Sequence, residues 1–165
     1  MRKSLAVLLA VLFLLSFNKQ AVAWTISEKE YAGQAPVKIF INGQEFTCQD
    51  QKPFILYGRT YLPFREIGEA LGYKVDYTPQ KGAFRAIISW EDKDGTYVNL
   101  YPGSTNMDLV PQGDQSRAYT KDIDPPLVVK ETNRTVLPIR PVAEAFGWKV
   151  EWDGKTRTVM LTKGV

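Results

Sequence analysis

The sequence predicts an α+β fold in which antiparallel sheets pack on two short helices. First, the twenty residues from Gly58 to Tyr77 recur as Asn133 to Trp152, with identical residues at ten positions, and an internal repeat is a strong fold signal. Second, the apolar residues of each copy change from the two-residue spacing of a strand to the spacing of a helix and back again. Third, Asn42-Gly43 separates two extended runs and is a strong hairpin signal. We therefore expect two strand-helix-strand repeats in one compact domain.

The first 23 residues have the features of a secretory signal peptide. Arg2 and Lys3 precede an apolar run from Leu5 to Leu15, and Ala21-Val22-Ala23 is suited to cleavage. The run is too short for a comfortable membrane span. We therefore predict that residues 1–23 are removed and that no stable membrane span remains.

The rest of the chain has the size of one ordinary domain. We expect a flexible lead-in over residues 24–35 and a single domain over residues 36–165, with repeat one at about 37–101 and repeat two at about 107–163. Without residues 1–23 the chain has 18 basic and 18 acidic residues. The basic calculated isoelectric point therefore does not indicate a nucleic acid partner.

Each copy of the repeat predicts the same order of elements. A run of β-branched and aromatic residues forms a strand, which ends at a proline suited to a first helical turn. Apolar residues at helical spacing then give the helix a buried face. A glycine ends the helix in a left-handed C-cap. The prolines and glycines are Pro63, Gly72, Pro138 and Gly147, and the apolar faces are Phe64, Ile67, Gly68 and Leu71 in copy one and Ile139, Val142, Ala143 and Phe146 in copy two.

Further strands follow each predicted helix. In residues 73–77 and 148–152, aromatic or apolar side chains alternate with charged ones. We therefore expect the rings to pack in the core, with a binding surface as the alternative. The next predicted strands cover residues 86–90, 96–101 and 158–162. Another hairpin is predicted between residues 107–110 and 116–119.

Four motifs in the repeat resemble a known family. Gly/Asn-Arg-Thr, Leu-Pro-x-Arg, Glu-Ala-Leu/Phe-Gly and Lys-Val-Asp/Glu-Tyr/Trp are similar to the copper amine oxidase N-terminal-like domain, also called the stalk domain. The resemblance extends from about Val37 to Thr162. It implies an α+β module found in secreted and surface proteins of Gram-positive bacteria, and it does not imply amine oxidase chemistry, which belongs to a separate catalytic domain.

The residue types limit the chemistry that the chain could perform. It contains no histidine, which excludes Ser-His-Asp catalysis and histidine-based zinc or copper sites. No metal and no cofactor is therefore expected. Cys48 is the sole cysteine, so no disulfide can form within the chain. We expect a buried thiol, with pairing to a second molecule as the alternative.

The charged residues of the repeat are interpreted as structural. Arg65 and Glu69, like Arg140 and Glu144, are four residues apart and should form ion pairs on a helix surface. Arg59 and Arg134 are expected to bind carbonyl groups or a neighbouring carboxylate. A carboxylate pair could still support a hydrolase, so that alternative stays open. The structural set is Arg59, Pro63, Arg65, Glu69, Gly72, Arg134, Pro138, Arg140, Glu144 and Gly147.

The aromatic residues after repeat one suggest a binding surface. Tyr97, Asn99 and Tyr101 lie on one face of a predicted strand, and Trp90 is close in sequence. Rings beside polar groups are typical of surfaces that bind a glycan or a peptide. The favoured hypothesis is a secreted, non-catalytic binding or scaffold module of the bacterial cell envelope that contacts wall polysaccharide or a surface protein. The alternatives are a secreted hydrolase and an accessory or inhibitor of a secreted enzyme.

Overall fold

The structure, a computed structural model, describes residues 25–81 and 86–164. The predicted signal peptide at residues 1–23 lies outside the described residues. The strands are β1 (Thr25–Ile26), β2 (Lys38–Ile41), β3 (Gln44–Phe46), β4 (Phe54–Leu56), β5 (Arg59–Pro63), β6 (Lys74–Pro79), β7 (Ala86–Glu91), β8 (Tyr97–Leu100), β9 (Asn106–Val110), β10 (Tyr119–Asp122), β11 (Leu127–Val129), β12 (Arg134–Pro138), β13 (Trp148–Asp153) and β14 (Thr158–Lys163). The helices are α1 (Phe64–Ala70) and α2 (Ile139–Ala145), with 3-10 helices at Glu28–Glu30 and Gln115–Arg117.

The α+β class predicted from the sequence is confirmed, since the described chain is rich in antiparallel sheet and has two short helices. The strands form three sheets. Sheet 1 has the order β1-β11-β12-β5-β4, sheet 2 has β10-β9-β8-β7-β6, and sheet 3 has β13-β14-β2-β3. All neighbouring strands are antiparallel except two pairs, β1 with β11 and β14 with β2.

Strands from the two halves of the chain are mixed in every sheet. In sheet 1, β5 pairs with β12 so that Leu62 lies opposite Leu137, its own repeat equivalent. In sheet 3, the final hairpin β13-β14 is extended by the opening hairpin β2-β3, and in sheet 2 the hairpin β9-β10 extends β6-β7-β8. Neither half therefore completes its sheets without the other.

One large apolar cluster lies between the sheets and the helices. It includes the buried faces of both helices, with Phe64 and Ile67 from α1 and Ile139 and Val142 from α2. Two-turn helices are unstable alone, so this shared burial is what holds them. Leu62 and Leu137 also belong to the cluster, while their strand neighbours Tyr61 and Val136 point to the other face of sheet 1 and join a smaller cluster there.

The segment 25–35 covers that smaller cluster, and here the structure differs from the expectation of a flexible lead-in. Ile26 is buried in the cluster, on a strand paired with β11. Tyr31 stacks on Phe54 with ring centroids 3.8 Å apart. The segment removes the apolar surface on this face of sheet 1 from water, which is favourable. Its polar composition did not predict this role.

Two other expectations are corrected. The hairpin after β9 pairs with residues 119–122, and Gln115–Arg117 is a 3-10 helix instead of the start of a strand. The rings of Tyr77 and Trp152 were expected in the core, but they are 45% and 37% exposed. Their repeat companions Tyr73 and Trp148 are buried and joined by a hydrogen bond from Trp148 Nε1 to the Tyr73 hydroxyl, 2.6 Å long.

Candidate functional site

The structure divides the aromatic surface predicted around β8. Trp90 was proposed as a ligand-binding residue, but its side chain is 0% exposed and its Nε1 donates a hydrogen bond to the Phe64 carbonyl oxygen, 3.0 Å away. An indole enclosed in this way cannot meet a ligand, so this assignment is corrected. Strand alternation explains it, because Trp90 pairs with Val98, which faces the core, and not with Asn99.

The other three residues stay together on the outer face of sheet 2. Tyr97 and Asn99 are half-buried on β8, and Asn99 lies opposite Asp108 of β9. The Tyr101 hydroxyl donates a hydrogen bond to Asp108 Oδ2 at 2.7 Å. Burial, followed by that hydrogen bond, raises the pKa of Tyr101 to about 12. This ring is therefore already held by the protein.

A larger concave site lies elsewhere, beside helix α2. It is a cleft of about 560 Å³ between the tip of the β4-β5 hairpin, the segment after β10, the exposed side of α2 and strand β13. It combines an exposed ring, aliphatic surface and charged groups, which is the usual make-up of a ligand pocket. The side chains that define it are Arg59, Lys121, Asp122, Asp124, Arg140, Glu144, Glu151, Trp152 and Val159.

Arg59 and Arg134 connect the two halves of the chain. Arg59 Nε lies 2.6 Å from Asp124 Oδ2, and Arg134 forms the reciprocal pair with Asp50 at 2.8 Å. The Arg59-Asp124 pair lines the cleft. The hydrogen bond to Asp124 raises the pKa of Arg59, so the guanidinium keeps its charge.

The two helix pairs anticipated from the sequence are both present and weak. Arg65 lies 3.6 Å from Glu69 and Arg140 lies 4.0 Å from Glu144, with all four side chains well exposed. Exposed pairs of this kind contribute about 0.3 kcal/mol. Only the second pair lines the cleft, where its groups are available to a ligand at little energetic cost.

The remaining residues of the structural set have local roles. Pro63 and Pro138 stand immediately before helices α1 and α2. Gly72 and Gly147 follow the helices with φ of 87° and 78°, in the left-handed region that favours glycine.

Beside α1, at the helix position equivalent to one that lines the cleft, a loop is fixed to the helix. Glu66 accepts hydrogen bonds from the backbone N–H groups of Gln49 and Asp50, at 2.6 Å and 3.1 Å. Pro141 occupies the equivalent helix position in copy two and has no acceptor side chain. It lines the cleft instead.

Sequence reasoning missed the cleft because its residues come from distant parts of the chain. One signal was available: Trp152 and Tyr77 are equivalent in the repeat, and each sits near the end of a strand where alternation no longer guarantees burial. Across residues 25–81 and 86–164, no group of three or more metal-ligating side chains is found. Within the same ranges, neither helix has the length and apolar character needed to cross a membrane.

Comparison with known proteins supports the resemblance found in the motifs. The family model described as copper amine oxidase N-terminal domain matches residues 40–161, which is more than half of the chain. No curated protein and no solved structure gives a significant match.

Proposed function

The chain belongs to the copper amine oxidase N-terminal domain family, and on that premise we propose that it is a non-catalytic, stalk-type binding or scaffold module, secreted to the bacterial cell envelope. The family assignment carries this proposal, because that domain is not the catalytic part of copper amine oxidases. The module would contact wall polysaccharide or a surface protein. Residues 1–23 would direct its export, and one domain over residues 36–165 would do the binding.

The fold suits such a role. Two strand-helix-strand units, at about residues 37–101 and 107–163, would form one rigid body, since each of their sheets takes strands from both halves. The reciprocal pairs Arg59-Asp124 and Arg134-Asp50 join the halves at the surface. A body built in this way can hold a contact surface in fixed geometry, which lowers the entropic cost of binding.

Two surfaces are available for contact. One is the cleft beside α2, and the other is the outer face of β8 with Tyr97, Asn99 and Tyr101. Both place rings beside polar groups, a combination enriched at binding surfaces.

A sedimentation assay with isolated Gram-positive cell walls tests the proposal. We expect the purified protein to be retained on walls and released by soluble wall fragments. The same walls are then assayed for newly formed reducing ends and free amines, with Glu144→Gln as the comparison for a hydrolase. Formation of reducing ends or free amines by the unchanged protein, but not by Glu144→Gln, would establish the enzyme alternative. Absence of retention on walls and surface proteins alike would refute the binding function.

A further inference from the structure

We propose that the cleft beside α2 is the binding site for an uncharged glycan strand, with Trp152 as the ring against which a sugar face packs. This inference rests on the proposed function and deepens it, because it assigns the site and the chemical class of the ligand. Three features support it: the charge of the cleft, the exposed Trp152 ring in its lining and the contrast with the equivalent position in repeat one.

The charges of the cleft favour a neutral, polar ligand. Its lining includes four carboxylates and three cations: Asp122, Asp124, Glu144 and Glu151 against Arg59, Lys121 and Arg140. A phosphate-rich polymer requires a clear excess of positive charge, which is lacking here. Carboxylates accept hydrogen bonds from hydroxyl groups and guanidinium groups donate to them, so this mixture is suited to a molecule with many hydroxyls.

Trp152 supplies the apolar part of the site. Its ring is 37% exposed and lines the cleft together with Val150 and Val159. A tryptophan presents a large flat surface together with an N–H donor, which matches the alternating apolar faces and polar edges of a sugar ring.

Of the edge strands that line the cleft, β4 is closed to a peptide at Ile55. Ile55 of β4 lines the cleft, but the Gln34 side chain binds both its backbone groups: Ile55 N donates to Gln34 Oε1 at 3.0 Å, and Gln34 Nε2 donates to the Ile55 oxygen at 2.7 Å. Recognition of an extended peptide at a sheet edge depends on those two groups being free. A peptide strand therefore cannot add to β4 at this point of the cleft.

Tyr57 has an exposed ring and is the residue before the cleft residue Gly58. Its side chain is 88% exposed. Its φ is 48°, a left-handed conformation that is unfavourable for a bulky residue. Asn-Gly is the preferred pair for such a two-residue turn. Because the ring is almost fully exposed, packing within the protein does not explain a tyrosine at this position. Contact with a ligand would explain it.

Tyr77 provides a matched control for Trp152. The two residues are equivalent in the repeat, and each lies opposite a buried aliphatic residue on the next strand, Ile88 for Tyr77 and Val159 for Trp152. Loss of either ring should therefore cost similar stability. Only Trp152 borders the cleft, so only its loss should affect binding at this site.

The experiment measures binding of the purified protein, Trp152→Ala, Trp152→Phe, Tyr77→Ala and Tyr57→Asn to glycan strands prepared from cell walls. The strands are stripped of peptide and phosphate polymers, and their remaining carboxylates are reduced to alcohols so that the strands carry no charge. We expect at least a tenfold weaker affinity for Trp152→Ala, near-normal affinity for Trp152→Phe and Tyr77→Ala, and several-fold weaker affinity for Tyr57→Asn despite equal or higher thermal stability. Thermal unfolding of each variant shows whether it is folded.

Each contrary outcome has a defined meaning. If Trp152→Ala binds with the same affinity as the unchanged protein, the assignment of glycan binding to this cleft is wrong. The proposed wall binding is then unaffected. Binding to a phosphate polymer or to a wall peptide, but not to stripped strands, would overturn the ligand class. Absence of binding to intact walls, to every wall fraction and to surface proteins would overturn the inference together with the proposed function.

Discussion

Replacing Gly68 by alanine tests why the two repeat copies differ in the core. A Cβ at this position would lie 2.6 Å from Trp90 Cε2 and 2.7 Å from Val75 Cγ2, well inside normal contact distance. Trp90 cannot withdraw easily, because it is fully buried and donates a hydrogen bond to Phe64 on the same helix. The Trp90 indole therefore occupies the space that a side chain at position 68 would need.

The expected cost follows from three contributions. Overpacking a well-filled core costs about 1–3 kcal/mol, and weakening the indole hydrogen bond adds about 1 kcal/mol. Alanine recovers about 1 kcal/mol through its higher helix propensity. We expect a net loss of about 1–3 kcal/mol in the free energy of unfolding, measured by urea denaturation, and a lower Tm by roughly 3–5 °C for each kcal/mol.

Copy two provides the comparison. Ala143 is equivalent to Gly68, and Leu161 stands opposite Val150 as Trp90 stands opposite Val75, so the smaller leucine leaves room for the alanine. Gly68→Ala should therefore cost less in a Trp90→Leu background than in the unchanged protein. If Gly68→Ala raises stability, the account of the close approach is wrong.

The further predictions concern the segment 48–50 beside α1 and the glutamates of that helix. Burial raises the pKa of the Cys48 thiol to about 12, so maleimide labelling at pH 8 should be at least about 100-fold slower in the native than in the urea-unfolded protein. Because the folded thiol is neutral, its contribution to stability should hold below about pH 9 and be lost as the pH rises towards 12. Glu66→Ala should lower the free energy of unfolding by about 1–2 kcal/mol, because two backbone donors lose their acceptor. Glu69→Ala, which removes only an exposed ion pair, should change it by less than about 0.5 kcal/mol.

The sequence predicts what short-range rules determine. Helix α1 begins at Phe64 directly after Pro63, and the turn at Asn42-Gly43 has φ of 49° and 82°, because proline and Asn-Gly restrict the backbone locally. The parallel pairing of β14 with β2 joins the two ends of the described chain, and no local pattern specifies such a partner. The order in segment 25–35 likewise depends on an apolar face that exists only after sheet 1 has formed.

The candidate site shows the same division. Alternation correctly separates the faces of β8, but it does not reveal where a strand extends beyond the core. Trp90 is therefore enclosed while Trp152 is not, although both are tryptophans on strands of the same type. The cleft depends on contacts between α2, β13 and the β4-β5 hairpin, and these are set by the tertiary arrangement.

Differences between the repeat copies identify where function should be sought. Packing accounts for Gly68 against Ala143, since Trp90 lies against Gly68 in copy one and Leu161 takes the strand position of Trp90 in copy two. Anchoring of the loop at Gln49 accounts for Glu66. Packing gives no comparable reason for tryptophan instead of tyrosine at position 152, because both rings are exposed and both lie over an aliphatic neighbour. A difference that the core does not require, located where the surface is concave, is better explained by a ligand.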